Sequence, residues 1–170
     1  LRLGDELKEG DIRNNAYLNR YLTIGQAKVA TSAHEAFDLG YLREGTDEVI
    51  VSQVDQLSYA KKVALQMVEK GYSQPAPRND IKVLGKEIHG IFRVGADAFT
   101  VGKYMSEHDK LIAEKLGYVM AGGDISQAMT EVTEQYLLDL ERKAFIELCM
   151  QRKTMERMQS LITSGKILRN

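Results

Sequence analysis

Apolar positions along this chain recur mostly at three- and four-residue intervals, the spacing that lines one face of an α-helix. Residues 1–10 are polar with scattered Leu and read as an irregular lead-in. From Asp11, an acceptable N-cap, the residues Ile12, Ala16, Leu18, Tyr21, Leu22 and Ile24 supply the contacts of a first helix. Ser32 with Glu35 three residues later has the form of a capping box. Ala33, Ala36, Phe37 and Leu39 then give a short helix, and Gly40 sits where a left-handed residue would end it. The charged stretch 43–48 reads as a surface loop.

Ser52 with Asp55 repeats the cap pattern, and Val54, Leu57, Ala60, Ala64, Met67 and Val68 fall on one face of a helix that stops at Gly71. Pro75 and Pro77 follow and stiffen the connector 74–79. Residues 81–84 are apolar and extended, a single run that makes no sheet alone. Over 86–102, Ile88, Ile91, Phe92 and Phe99 predict a helix despite Gly90, Gly95 and Gly102, each of which costs roughly 1 kcal/mol relative to Ala in a helix interior. Ser106 with Asp109 caps a helix carrying Leu111, Ile112, Leu116, Val119 and Met120, closed by Gly122-Gly123. Residues 124–130 read as a loop.

The stretch 131–150 carries the widest apolar face, with Leu137, Leu138, Leu140, Ala144, Phe145, Leu148 and Cys149, and is expected at the centre of the packing. Asp139 and Lys143 stand at i,i+4 in the favourable order. Residues 153–164 should turn Met155, Met158, Leu161 and Ile162 inward and stop at Gly165. Six or seven helices without a repeat make the expected fold class all-α, a predominantly helical segment in stretches 1–74, 75–130 and 131–170 that form one compact unit.

Composition changes this picture little. With 170 residues, 44% apolar and 28% charged, the chain can bury a substantial core. A formal net charge of -1 gives no reason to expect nucleic acid as a partner. No apolar run reaches the ~20 residues that span a bilayer, and no transmembrane segment is expected. The single Cys149 cannot form an internal disulfide and fits a reducing compartment such as the cytoplasm. The sequence opens at Leu1 in mid-pattern, as a fragment would.

Two stretches carry a family resemblance. The apolar run Leu22 to Ile24, Ser32-Ala33, Glu35-Ala36 and Leu39-Gly40-Tyr41 resemble the enoyl-CoA hydratase/isomerase (crotonase) superfamily where its core gives way to its helical C-terminal part. Residues 133–170 resemble the closing helix pair and tail of the multifunctional 3-hydroxyacyl-CoA dehydrogenase/enoyl-CoA hydratase proteins of fatty-acid β-oxidation. Residues 81–130 have no clear counterpart in small crotonases and look like an elaboration of that branch. The resemblance implies a C-terminal segment contributing packing, subunit contacts and CoA binding to a parent that uses NAD and acyl-CoA. Its expected partners are the upstream core of the same protein and further copies in a homo-oligomer.

The catalytic parts of that chemistry are expected outside this segment. Crotonases need two backbone N–H groups aimed at the thioester oxygen and glutamates that move protons, and in the family these lie upstream. No Gly-rich dinucleotide turn appears either, so no catalytic residue, metal site or bound cofactor is assigned here. His34, His89 and His108 lack metal spacing and read as surface or cap-adjacent residues. Cys149 reads as an inert thiol on an apolar stripe. Gly122-Gly123-Asp124 reads as a helix stop, and Glu107, Asp109, Glu131 and Glu134 as first-turn charges that complement helix dipoles.

The tail is locally basic: Arg152, Lys153, Arg157, Lys166 and Arg169 stand against Glu156. One reading is a solvated helix face with cations at the helix end. The other, implied by the resemblance, is that Lys166 helps hold the phosphates of CoA. The rival to the enzyme-segment reading is a self-sufficient helical module whose apolar faces dock a protein partner, and a complete small enzyme is a third.

Overall fold

A computed structural model describes residues 2–8 and 10–170. The chain is predominantly helical, as its periodicity predicts, with eight helices and two short strands among the described residues. In order these are α1 (Arg2–Glu6), α2 (Arg13–Gly25), α3 (Ala33–Asp38), α4 (Gln56–Glu69), β1 (Ile81–Val83), α5 (Gly85–Val101), α6 (Glu107–Ala121), β2 (Thr130–Val132), α7 (Glu134–Cys149) and α8 (Arg152–Ser164). They fall into two compact units, one of Leu1–Gln26 with Pro77–Asn170 and the other of Ala27–Ala76.

The larger unit is built on α2, α5 and α6. Ile88, Phe92 and Ala96 of α5 recur at four-residue spacing and are almost completely buried. Tyr21 of α2 stacks on Phe92 with ring centroids 4.3 Å apart and donates its hydroxyl to the Ala113 carbonyl at 3.1 Å. That bond is what allows a phenol into the core, since a buried hydroxyl without a partner is costly. Burial, followed by the field of Glu114, pushes the Tyr21 hydroxyl up to about 12. Tyr17, absent from the expected contact set, is buried in the same way and donates to the Lys82 carbonyl at 3.0 Å. Gly117 permits the close crossing of α5 and α6, because a Cβ there would lie 3.1 Å from the Phe92 side chain.

A second apolar cluster forms at the strands. Residues 81–84 do acquire a partner: β1 pairs antiparallel with β2 in the register Ile81↔Val132, Lys82↔Glu131 and Val83↔Thr130. Ile81, Val83 and Val132 point inward with Ile125 and Leu137, and the pair Lys82–Glu131 lies outward at 4.0 Å. Residues 130–132, read from sequence as loop end and helix start, are therefore strand. The helix begins only after Thr133, whose hydroxyl accepts from the Tyr136 N–H at 3.1 Å. Gly122 at φ +89° turns the end of α6 against Val83, where any Cβ would come within 2.6 Å of a methyl group.

Other expectations need correction. Helix α1 occupies part of the stretch read as an irregular lead-in, while Leu1 and Glu9 of that stretch lie outside the described residues. Helix α2 starts at Arg13 without a side-chain cap, and Asp11 instead accepts from the Lys8 N–H at 2.7 Å. Ile12 and Ile24 stay exposed because α2 turns its tyrosine edge inward. Helix α7 is not central: among its residues only Ala144 is buried, and Leu138, Phe145 and Ile146 face solvent. Gly117 and Ala113 of α6 with Ala96 of α5 line the close crossing of those two helices, which takes the centre instead. Asp139 pairs with Arg142 at 2.8 Å rather than with Lys143. Met155, Met158, Leu161 and Ile162 of α8 are exposed, not inward.

The smaller unit contains the capped helix α3. The Ser32 hydroxyl accepts from the Glu35 N–H at 3.1 Å, and the Glu35 carboxylate accepts from the backbone and hydroxyl of Thr31, both at 2.6 Å. The reciprocal bond thus reaches one residue further back than a capping box. Hydrogen bonds first from the Thr31 side chain and then from its backbone hold the Glu35 carboxyl below its ordinary range. Gly40, left-handed as expected, closes α3 with Tyr41 N–H to Ala36 O and Gly40 N–H to Phe37 O, the Schellman pattern. Helix α4 starts four residues after Ser52 and has no side-chain cap, so the second expected cap does not form. It buries no residue, and Val54, Leu57 and Val68 on or beside it are 92%, 83% and 73% exposed.

Candidate functional site

Lys166, the one residue assigned a binding role from sequence, lies exposed just past the end of α8. Gly165 turns left-handed there, the Ser160 hydroxyl donates to the Lys166 carbonyl at 3.0 Å, and the Lys166 N–H donates to the Ser164 hydroxyl at 3.3 Å. The backbone is thereby fixed while the ammonium remains in solvent. The other tail cations divide. Arg152 meets Glu156 at 3.5 Å across one helical turn, and Arg157 is committed to Asp109 of α6 at 2.6 Å.

Around Arg157 a polar cluster pins the C-terminus. Ser106 and Asp109 form the complete capping box that their spacing predicts, with bonds of 3.1 and 3.0 Å. Arg157 also donates to the Asn170 side chain at 2.9 Å and to its carbonyl at 3.2 Å. Burial would raise the Asp109 carboxyl, but hydrogen bonds from Arg157 and Ser106 with the Arg157 charge outweigh it, and the group lies below its ordinary range. His108 beside it is cap-adjacent, two residues past Ser106, which is one of the two placements expected, and it is not at the surface. It is 5% exposed and shares a hydrogen bond of 3.0 Å between Nε2 and the Thr154 hydroxyl.

A cleft of about 270 Å³ opens between α5, α6 and α7, lined by His89, Arg93, Glu114, Lys115, Tyr118, Lys143, Ala144 and Glu147. Arg93 approaches Glu114 at 3.8 Å, and Lys115 is hydrogen-bonded to Glu147. The hydrogen bond from Lys115, then its charge, holds the Glu147 carboxyl below the usual carboxylate range, which makes it a weak proton acceptor. Burial and the Arg93 charge push the His89 imidazole down, so it is neutral at neutral pH. Its Nε2 is buried without a hydrogen-bond partner, and the ring meets Tyr118 edge-on at 5.8 Å. Burial and the bond to Asp124 raise the Tyr118 hydroxyl. This cleft was not assembled from sequence. Its signal was the i,i+4 pairs His89/Arg93, Glu114/Tyr118 and Lys143/Glu147, but spacing on one helix does not say which helices face each other.

The remaining residues singled out do not converge on this cleft. His34 is exposed on α3, and Cys149 is half-buried at the end of α7. Glu107, Asp109 and Glu134 do stand in first helical turns, whereas Glu131 lies on β2. Gly122 and Gly123, both left-handed, close α6 as expected. The turn from β1 into α5 has the strand–glycine–helix order of a dinucleotide site but not its fit. A Cβ at Gly85 would lie 2.5 Å from the Ile125 carbonyl, so the space in front of the turn is filled by the chain itself. Among the described residues no group of three or more His, Cys, Asp or Glu could hold a metal ion, and no helix is long and apolar enough to cross a membrane.

No family model matches the chain, and no solved structure matches it. A curated relative does. Over 166 residues, 98% of this chain, the sequence is 39% identical to a "Probable 3-hydroxyacyl-CoA dehydrogenase" of Bacillus subtilis (strain 168). The chain spans about a fifth of that protein, 21% of its length, and is thus a homologue of one segment of a protein with that name.

Proposed function

We propose that the chain is the helical C-terminal segment of a crotonase-like module in a cytoplasmic β-oxidation protein that also carries an NAD-dependent 3-hydroxyacyl-CoA dehydrogenase. The parent adds water across the double bond of a 2-enoyl-CoA and oxidises the resulting 3-hydroxyacyl-CoA, with NAD as the hydride acceptor. This segment does no chemistry alone. It packs against the upstream core, contributes contacts between copies and, through Lys166, helps hold the phosphates of CoA.

The observation that carries the dehydrogenase part of this reading is the 39% identity, which runs through nearly the whole chain, while the crotonase part rests on the resemblance of residues 22–41 and 133–170. The exposed faces of α4 and α8 support it, since large apolar side chains such as Leu57 and Ile162, 83% and 78% exposed, are suited to being covered by another surface. The exposed ammonium of Lys166 on a fixed backbone suits a flexible point-charge contact with a phosphate.

The test is activity by parts. The 170-residue chain should turn over neither a 2-enoyl-CoA nor a 3-hydroxyacyl-CoA with NAD, whereas the longer protein should use both. In the longer protein, Lys166→Ala should raise KM for the CoA thioester and leave KM for the same acyl group on pantetheine unchanged. Turnover by the chain alone would overturn the assignment. A longer protein without activity on either substrate would favour the module that docks a protein partner, a reading to which the exposed α4 also lends itself.

A further inference from the structure

The way α8 is held differs from the way the other long helices of the larger unit are held. It buries none of its residues, and Met155, Leu161 and Ile162 are 51%, 56% and 78% exposed. Its attachment to α6 is polar and local: Thr154 to His108 at 3.0 Å and Arg157 to Asp109 at 2.6 Å. The chain end is tied into the same cluster, with the Asn170 amide donating to Glu156 at 2.8 Å and to the Lys153 carbonyl at 3.4 Å. A helix held by apolar burial is insensitive to pH. One held by a buried imidazole and a carboxylate–guanidinium pair is not.

His108 is the group in this cluster that titrates nearest neutrality. It is 5% exposed, it stands in the first turn of α6, where the helix dipole disfavours a cation, and from α8 it faces the cations Arg157 and Lys153. Asp109 on its own helix is the opposing charge, but Arg157 and the Ser106 cap already engage that carboxylate. A proton on His108 in the closed arrangement is therefore poorly solvated and repelled by two cations. With α8 displaced, the imidazole meets water and regains its ordinary affinity for the proton.

We propose that the His108–Thr154 and Asp109–Arg157 contacts form an acid-sensitive latch holding residues 152–170 against α6, and that protonation of His108 releases this segment. The sign follows from linkage. The released form binds the proton more tightly, so the latch is fully closed above the ordinary histidine value of 6.5 and opens as pH falls below it. This inference is independent of the function proposed above, because it concerns only contacts within the chain.

The test is amide hydrogen exchange of the 170-residue chain at pH 7.5 and 5.5, corrected for intrinsic rates, with segment 152–170 compared against α5. Corrected exchange in 152–170 should rise about three- to tenfold at the lower pH, with α5 unchanged, since each pKa unit between closed and released forms is worth tenfold. His108→Gln, neutral at both pH values and able to bond Thr154, should abolish the difference. Thr154→Val, which keeps the imidazole but removes its partner, should raise exchange in 152–170 already at pH 7.5. A pH response that persists in His108→Gln would overturn the latch. Should that variant fold poorly by circular dichroism, unchanged protection of 152–170 in Thr154→Val at pH 7.5 would overturn it instead.

Discussion

Helix α5 carries glycines at 90 and 95 in its interior, yet it buries Ile88, Phe92 and Ala96 and anchors the core of the larger unit. Helix α4 of the smaller unit has neither glycine nor proline inside it and a comparable apolar stripe, yet it buries nothing. Periodicity reports which face of a helix is apolar. Whether that face is covered depends on a second surface, and α5 finds one in α2 and α6 through the stacked Tyr21 and the close crossing at Gly117. The apolar side chains of α4 remain in solvent.

The sharpest break between the two helices is a pair of truncations. Phe92→Ala should cost about 3–5 kcal/mol in urea unfolding, the usual loss for a fully buried aromatic. Leu57→Ala, at a position 83% exposed, should change stability by no more than about 0.5 kcal/mol. Similar costs at the two sites would mean that α4 is packed within the chain after all.

Glycine exchanges sharpen the contrast between packing and propensity. A Cβ at Gly117 would sit 3.1 Å from Phe92, tighter than ordinary contact, so Gly117→Ala should destabilise by about 1–3 kcal/mol through overpacking. At Gly90 a Cβ would meet nothing within 4 Å, so Gly90→Ala should stabilise by up to about 1 kcal/mol, the propensity difference alone. Thermal melts of both variants check the opposite signs, and equal signs would refute the packing described for α6.

The smallest expected effect is on acid stability. Asp109 titrates below its ordinary value of 3.8 when folded, so its contribution is complete above that pH and is lost as pH falls below it. Asp109→Asn should therefore flatten the fall in stability between pH 5 and 2.5 relative to the unaltered chain. An identical pH profile in both would show that the carboxylate gains nothing from Arg157.

Much of this was legible where one residue governs its own neighbourhood. The caps at Ser32 and Ser106 and the glycine stops at Gly40, Gly71, Gly122 and Gly165 follow from bonds within one turn of helix, and they form where the sequence places them. The centre of the fold was not legible in the same way. The apolar face of α7 is broader in sequence than that of α5, and only the folded chain shows Gly117 of α6 admitting Phe92 of α5 at close range. The strand pair was missed because residues 130–132 show no period of their own and acquire strand geometry only from Ile81 and Val83. The burial of His108 was missed because its partner, Thr154, lies 46 residues away. Lys166 is singled out by the resemblance of its tail to a family, and its exposure by itself assigns it no partner.

The function proposed above has the uncovered face of α4 covered by the rest of a longer protein. Amide hydrogen exchange of residues 56–69 tests it most directly, measured in the 170-residue chain and in the longer protein that carries it. An isolated helix of this length is marginal in water, so α4 should exchange rapidly in the chain alone and at least about tenfold more slowly in the longer protein. Equal exchange in both would contradict the account.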